Sequence, residues 1–505
     1  LRSVSDNYSK TLIYRIQDNT FENMALRLNA YAYRPLKALV QRNAFNKCTS
    51  SETGIRLDYA YNWYSTIADS VRYVFSDNIV RGVKGTNNTS GISANFYSDA
   101  QSIVINNNTL RSTSGIYVYS EKSSKLKMLN NIVDSSYQDG IRLIRLSGKI
   151  QGNTITNNGW YDSWGLYLES DFNYPSLDSI INNTISGNGY IHSPSTTTTN
   201  PTRGGISING STTAVINNNN LVDNNSFDVV NQVAEAVVAQ QNAKFNYWGS
   251  ATTAAIALGG NPKNLNRIFD KYDDNVKGFV NYGGYLNGPS PTGTPTSQSE
   301  SGQLRFTNRL GSLALTYGLT DSIYMRVLDS DRNLASSGQD TVSVRISTPK
   351  EPLGEKITLT ETGANTGIFT GLLRFDPAGS VAQDGLLQVN KGQKLTASYR
   401  DPADDFGNVA TITASSFYGL TLVSSGTLPL GVTTTWTLAN SPYLLTGDIL
   451  VPNTSKLVIQ PGVEVRFKPV TDDLAGGTDP NRIEIRVEGQ VNAQGTAADS
   501  IRFIS

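Results

Sequence analysis

Short apolar runs and polar turn marks alternate through the first 286 residues in an order that keeps returning. Nine asparagines, Asn19, Asn43, Asn78, Asn108, Asn131, Asn153, Asn183, Asn219 and Asn242, are each followed within three residues by an apolar side chain: Phe21, Phe45, Val80, Leu110, Val133, Ile155, Ile185, Leu221 and Phe245. The marks stand 24, 35, 30, 23, 22, 30, 36 and 23 residues apart. A unit of about 20 to 30 residues is too short to close a core alone and must stack on copies of itself, which predicts a solenoid. Between marks, a glycine leads an alternating strand, as in Gly54-Ile55-Arg56-Leu57, Gly115-Ile116-Tyr117-Val118, Gly140-Ile141-Arg142-Leu143 and Gly165-Leu166-Tyr167-Leu168. Period two puts one face in and one face out. A further apolar piece precedes each asparagine, such as Ile103 to Ile105 or Ile180-Ile181, so each coil carries two or three short strands. Asparagine suits the turn because it tolerates left-handed backbone and because stacked amides bond in ladders.

The pattern changes twice. Residues 287–301, rich in Pro, Ser, Thr and Gly, read as a linker. From 302 to 419 separate strands are predicted at Ile323 to Leu328, Val342 to Ile346, Ile357 to Thr360, Ile368 to Phe375, Leu395 to Tyr399 and Ala410 to Ala414. Alternating strands at this density suggest an antiparallel β-sandwich. Residues 420–505 return to solenoid spacing, with strands around Ile449, Leu457 to Ile459, Val463 to Phe467, Ile483 to Val487 and Ile501 to Phe503. The whole chain is therefore expected to be all-β: a parallel β-helix, a sandwich, then the first coils of a second β-helix.

Residues 1–286, closing on Asn246-Tyr247-Trp248-Gly249, resemble the right-handed parallel β-helix proteins of the pectate-lyase-like superfamily, above all its surface-protein members. Residues 420–505 look like the opening of such a helix through Trp436, Ser441-Pro442-Tyr443, Gly447-Asp448-Ile449 and Gln460-Pro461-Gly462-Val463. The middle part is similar to Ig-like modules of large bacterial surface proteins through Leu359-Thr360-Glu361-Thr362-Gly363 and Asn365-Thr366-Gly367-Ile368-Phe369-Thr370-Gly371. A closing half-helix thus precedes an opening one, and both ends are expected to be open. Ser505 written before Leu1 reads as one coil continuing into the next, which predicts head-to-tail stacking with a further copy through Leu1, Val4, Ile485, Val487, Ile501 and Phe503. The resemblance implies an extracellular or cell-surface location and a structural, non-catalytic role.

Composition narrows the alternatives. The 505 residues hold 42 Lys+Arg and 42 Asp+Glu, and a neutral chain with 17% charged residues has no global reason to seek nucleic acid or anionic membrane. No run approaches the roughly 20 apolar residues of a membrane span, so no membrane insertion is expected, and Leu1 onward lacks the pattern of a signal peptide. The one cysteine, Cys48, forbids an internal disulfide and reads as a small buried group. The one histidine, His192, falls in a Ser/Thr/Pro-rich loop, which leaves histidine-based triads and zinc sites without material.

Three chemistries remain. Tyr117, Arg142 and Tyr167 should form one outward column, with Tyr119, Trp160, Tyr161 and Trp164 nearby, a ridge suited to sugar rings of a surface polysaccharide or to a plain cation–π stack. Lyases, epimerases and hydrolases of polysaccharides need clustered carboxylates, whereas Asp58, Asp139 and Glu169 look scattered. A glycan-binding adhesin is therefore the second reading and a polysaccharide lyase or epimerase the third. In the sandwich, Asp329, Asp331 and Asn333 alternate as oxygen donors, and Asp401, Asp404 and Asp405 form a second acidic loop; calcium would suit either, as would ordinary turn chemistry. Asp270 to Asp274 is a weaker candidate of the same kind. Sequons such as Asn88-Thr89-Ser90 and Asn453-Thr454-Ser455 offer little for glycosylation, since several overlap the expected ladders.

Overall fold

Parallel pairing between strands one coil apart organises the first of the two units, Leu1–Gln298 and Ser299–Ser505, into which the computed structural model divides. The structure describes residues 12–31, 36–48, 54–61, 72–83, 91–97, 102–159, 163–189, 201, 203–335, 337–379, 381, 383–468, 479 and 482–504.

In the first unit each coil lays down strands on three faces. Glycine-led strands, among them Ile92–Phe96, Trp164–Ser170 and Gly204–Gly210, form the first, and the long strands Ile116–Leu129 and Ile141–Gln151 run on from it into the second. Strands such as Leu36–Gln41, Arg72–Ser76, Ser102–Asn106 and Ser176–Ile181 form the second, and Thr20–Glu22 through Asn220–Val222 the third. Register is held so closely that single columns can be followed through the unit. On the second face Ile16, Val40, Phe75, Ile105, Met128, Ile150, Ile180 and Ile216 stack one above another, all buried. On the third, Phe45, Val80, Leu110, Val133, Ile155, Ile185 and Leu221 do the same at 0% exposure. Alternation of apolar and polar positions puts these columns inside, which is why a chain of moderate hydrophobicity still builds a continuous core.

The turn between the second and third faces carries the asparagine ladder. Each Nδ2 donates to the next coil's Oδ1, from Asn19 through Asn43, Asn78, Asn108, Asn131, Asn153, Asn183 and Asn219 to Asn246, at 2.9 to 3.1 Å. From Asn43 to Asn246 the same Oδ1 atoms also accept a backbone N–H, so these amides both donate and accept twice inside the rod. Two expectations are corrected here. The ninth rung is Asn246, not Asn242: the last spacing is 27 residues, because a buried turn over Ala243 to Phe245 intervenes. The left-handed residue is not the ladder asparagine but its predecessor, at Asp18, Arg42, Asp77, Asn107, Asn130, Gly152, Asn182, Asn218 and Phe245, with φ between 53° and 67°.

A second ladder, which the sequence pattern had not separated from the first, runs Asn158, Asn188, Asn224 at 2.9 Å per rung and ends on Asp228 at 2.8 Å. It explains the leading glycines. A Cβ on Gly140 would lie 2.7 Å from the Asn158 amide, and one on Gly165 would lie 2.7 Å from that of Asn188. The end of the unit also departs from an all-strand expectation. Trp248 is buried, and Gly249–Ala257 is an α-helix lying beyond the last rung. Residues 287–296, a linker by composition, fold back: Ser290 exchanges two hydrogen bonds with the Asn220 side chain, 2.8 and 3.0 Å, and Thr296 N–H donates to the Tyr285 carbonyl.

In the second unit, Gln303–Thr307, Ser322–Leu328, Ile368–Phe375, Glu355–Glu361, Thr341–Ser347, Lys394–Asp401 and Ala410–Tyr418 pair antiparallel in that spatial order. Their inward positions, including Val327, Phe369, Leu359, Ile346 and Leu395, form one core. Pairing turns parallel again after Thr421, in three small sheets whose strands lie one coil apart. Trp436 stacks on Tyr443 at 5.1 Å over Leu445, Val451, Leu457 and Val465.

Candidate functional site

Strand register brings Tyr117, Arg142 and Tyr167 into one outward column of the first face. The Arg142 guanidinium sits 4.0 Å over the Tyr167 ring, and it also meets Asp139 at 3.2 Å and Glu169 at 3.8 Å. Tyr167 Oη donates to Glu169 at 3.0 Å, and burial pushes its phenol up to about 12. Asp139 accepts from the Trp164 N–H at 2.7 Å, and burial raises its carboxyl above the usual range. An open groove of about 590 Å³ lies beside this column, lined by Tyr117, Tyr137, Gln138, Asp139 and Arg142. Two carboxylates flank the one cation, so the groove carries no surplus positive charge for an acidic sugar. Asp139 and Glu169, scattered in the sequence, meet through Arg142 because residue 139 lies just before strand Ile141–Gln151 and Glu169 lies on the neighbouring strand, opposite Ile144.

The neighbouring aromatics separate. Tyr119 lies one step along in the next outward column, where Arg145 reaches its hydroxyl at 3.3 Å and pairs with Asp171 at 2.6 Å. Trp164 is corrected from groove wall to core: it is 6% exposed and packs with Val230 and Phe269. An indole at the first inward position of its strand has no outward path. Trp160, Tyr161 and His192 lie outside the described residues, as do Leu1 and Val4, and the side chain of Asp58 lies outside the described side chains.

The acidic loops of the second unit are rearranged relative to expectation. Asp329, Asp331 and Asp401 bring one carboxylate oxygen each within 4.8 Å of one another. They converge because Asp329 ends strand Ser322–Leu328 while Asp401 ends Lys394–Asp401, and the Ser330–Arg332 turn carries Asp331 back toward them. Asp329 is 2% exposed; its Oδ2 accepts from Tyr399 Oη at 2.6 Å, and no donor reaches its Oδ1. Burial pushes its carboxyl up to about 7, the Tyr399 bond works against that, and Asp331 and Asp401 add to it. Two full charges 4.8 Å apart repel by about 3.5 kcal/mol at an effective dielectric of about 20, before solvent screening, and closer pairs by more.

Asp404 and Asp405 do not join. Asp404 Oδ1 accepts from the Phe406 and Asn408 amides at 2.9 Å, which is turn chemistry, and Asp405 is held by Ser301. Asp270, Asp273 and Asp274 likewise accept from backbone amides of their own loop. One feature carried no motif: an open groove of about 630 Å³ on the outer sheet face, where Arg345 stands directly opposite Lys356, with Arg332 and Arg400 alongside. A cross-strand pairing of like charges could have been read only once the register was known.

No protein-family model and no curated protein matches the chain. Among the described residues, no helix is long and apolar enough to cross a membrane.

Proposed function

We propose that this chain is a non-catalytic structural module of an extracellular, bacterial-type surface protein or fibre. In this reading, coils of the pectate-lyase-like kind form a rod, an Ig-like sandwich follows it, and residues from 420 onward open a second β-helix that stacks on a further copy. The observation that carries it is the ladder from Asn19 to Asn246, in which successive buried amides spend their bonding capacity on their neighbours and leave none for a ligand. Such a column resists bending and shear by many parallel hydrogen bonds, with no disulfide and no cofactor.

Stacking is supported by the last described coil. Val487 continues the column of Val451, Val491 that of Leu457 and Phe503 that of Val465. The three lower residues are 0% exposed, whereas Val487, Val491 and Phe503 are 46%, 41% and 51% exposed. Ile485 and Ile501 are half-buried beside them. The surface that fits this row is another coil of the same design, which would bury each side chain for about 1.5 to 3 kcal/mol. Electron microscopy and sedimentation of purified protein test the reading: rods or end-to-end filaments that lengthen with concentration are expected, and monomers at every concentration refute it.

A glycan-binding role keeps one observation in its favour, the half-exposed Tyr117 in the groove beside Arg142. Retention of the protein on immobilised polysaccharide, lost on Tyr117→Ala, would favour it. Turnover of uronate polymers would overturn the non-catalytic reading.

A further inference from the structure

We propose that Asp329, Asp331 and Asp401 hold one hard divalent cation of the calcium class, which fastens the start of the second unit to its sheet. This goes beyond the rod reading and stands without it.

Three arguments carry the assignment. First, the three carboxylate oxygens lie within 4.8 Å of one another, the span across a single ion whose metal–oxygen distance is about 2.4 Å. Magnesium dehydrates reluctantly and usually keeps several waters, so a set of converging protein carboxylates suits calcium better.

Second, Asp329 is 2% exposed, and its Oδ1 has no donor although its Oδ2 is fixed by the Tyr399 hydroxyl at 2.6 Å. A buried carboxylate oxygen left without a partner is rare in a folded protein unless something outside the chain fills the place. Asn333 Oδ1, four residues on from Asp329, is also buried and without a partner among the described residues.

Third, backbone amides orient Asp401 and Asp331 toward the cluster. Asp401 Oδ2 accepts from Gly302 N–H at 2.8 Å and its Oδ1 from Ala403 N–H at 2.9 Å, while Asp331 Oδ2 accepts from Glu300 N–H at 3.2 Å. A carboxylate oxygen carries more than one lone pair, so these bonds orient the group without closing it to a metal. The donors, Glu300 and Gly302, precede the first strand of the unit, so the same residues that would bind the ion also pin the incoming chain.

The experiment uses the full chain, stripped with chelator and then dialysed. Calcium chloride is titrated by calorimetry, and the melting temperature is followed with and without calcium. One equivalent bound and a saturable rise on the order of 5 °C are expected. Asp329→Asn should abolish the calcium-dependent rise while raising the melting temperature of the cation-stripped protein, because it removes the repulsion and keeps the shape; Asp331→Asn should weaken binding with the fold intact. The absence of both binding heat and a melting shift at millimolar calcium would overturn the proposal. So would a shift that survives in both variants, and an equal response to magnesium would overturn the calcium assignment.

Discussion

At the scale of the residue, the fold depends on side chains with no freedom to vary. Asn131 Nδ2 donates to Asn153 Oδ1 and to the Ile105 carbonyl at 2.9 Å each, and its Oδ1 accepts from the Asn108 amide and backbone. Asn131→Ala should therefore cost at least about 2 to 3 kcal/mol in chemical denaturation, since it strands several buried groups at once. Asn107, one residue before its rung and left-handed at φ 56°, should accept glycine with little change. The two outcomes together distinguish ladder from turn. The sequence marks fall on every rung but the last, Asn108 within the run Asn106 to Asn108 included; at the last, Asn242 stands in for Asn246, because spacing alone does not fix which asparagine turns inward. Single-residue phase is decided by pairing across coils.

Among the elements, strand boundaries followed the alternation closely, because an exposed β-face needs period two whatever its neighbours are. Ile368–Phe375 falls where it was expected, and Ser322–Leu328 begins one residue earlier. The helix Gly249–Ala257 escaped, since its small, weakly patterned residues carry no apolar stripe, and its place is set by the end of the stack. Asp401 converging on Asp329 was hidden for a related reason: the two lie at the ends of non-neighbouring strands, and only curvature of the sheet joins them. Strand Ser176–Ile181 carries a different kind of surprise. Asp178 faces inward at 1% exposure, accepts from Gly148 N–H at 3.1 Å, and burial pushes its carboxyl up to about 7. Its folded form thus binds a proton that the unfolded form gives up near the ordinary value of 3.8. Stability from this group is present at acid pH and lost as pH rises to about 7, with an upper bound of about 4 kcal/mol. Melting curves across that window should show the loss in the native protein and its absence in Asp178→Asn.

For the molecule as a whole, the proposed stacking can be tested at the row Val487, Val491 and Phe503 of the last described coil. Val487→Glu combined with Phe503→Glu should leave the circular dichroism unchanged and abolish any end-to-end assembly, because a charge at a core column cannot be buried unpaired. Assembly that persists in the double variant would place the contact elsewhere. The proposed contact rests on a resemblance and on the burial of Val451, Leu457 and Val465 one coil below.

The spacing between rungs has a further consequence. Coils of 22 residues and of 36 residues close on the same 2.9 Å amide bond, so the length of a coil and the rise it contributes are independent quantities. Each turn still advances by one strand separation, about 4.8 Å, whatever the number of residues in it. A lineage of such chains can lengthen or shorten a coil between rungs with no adjustment of the coils above or below.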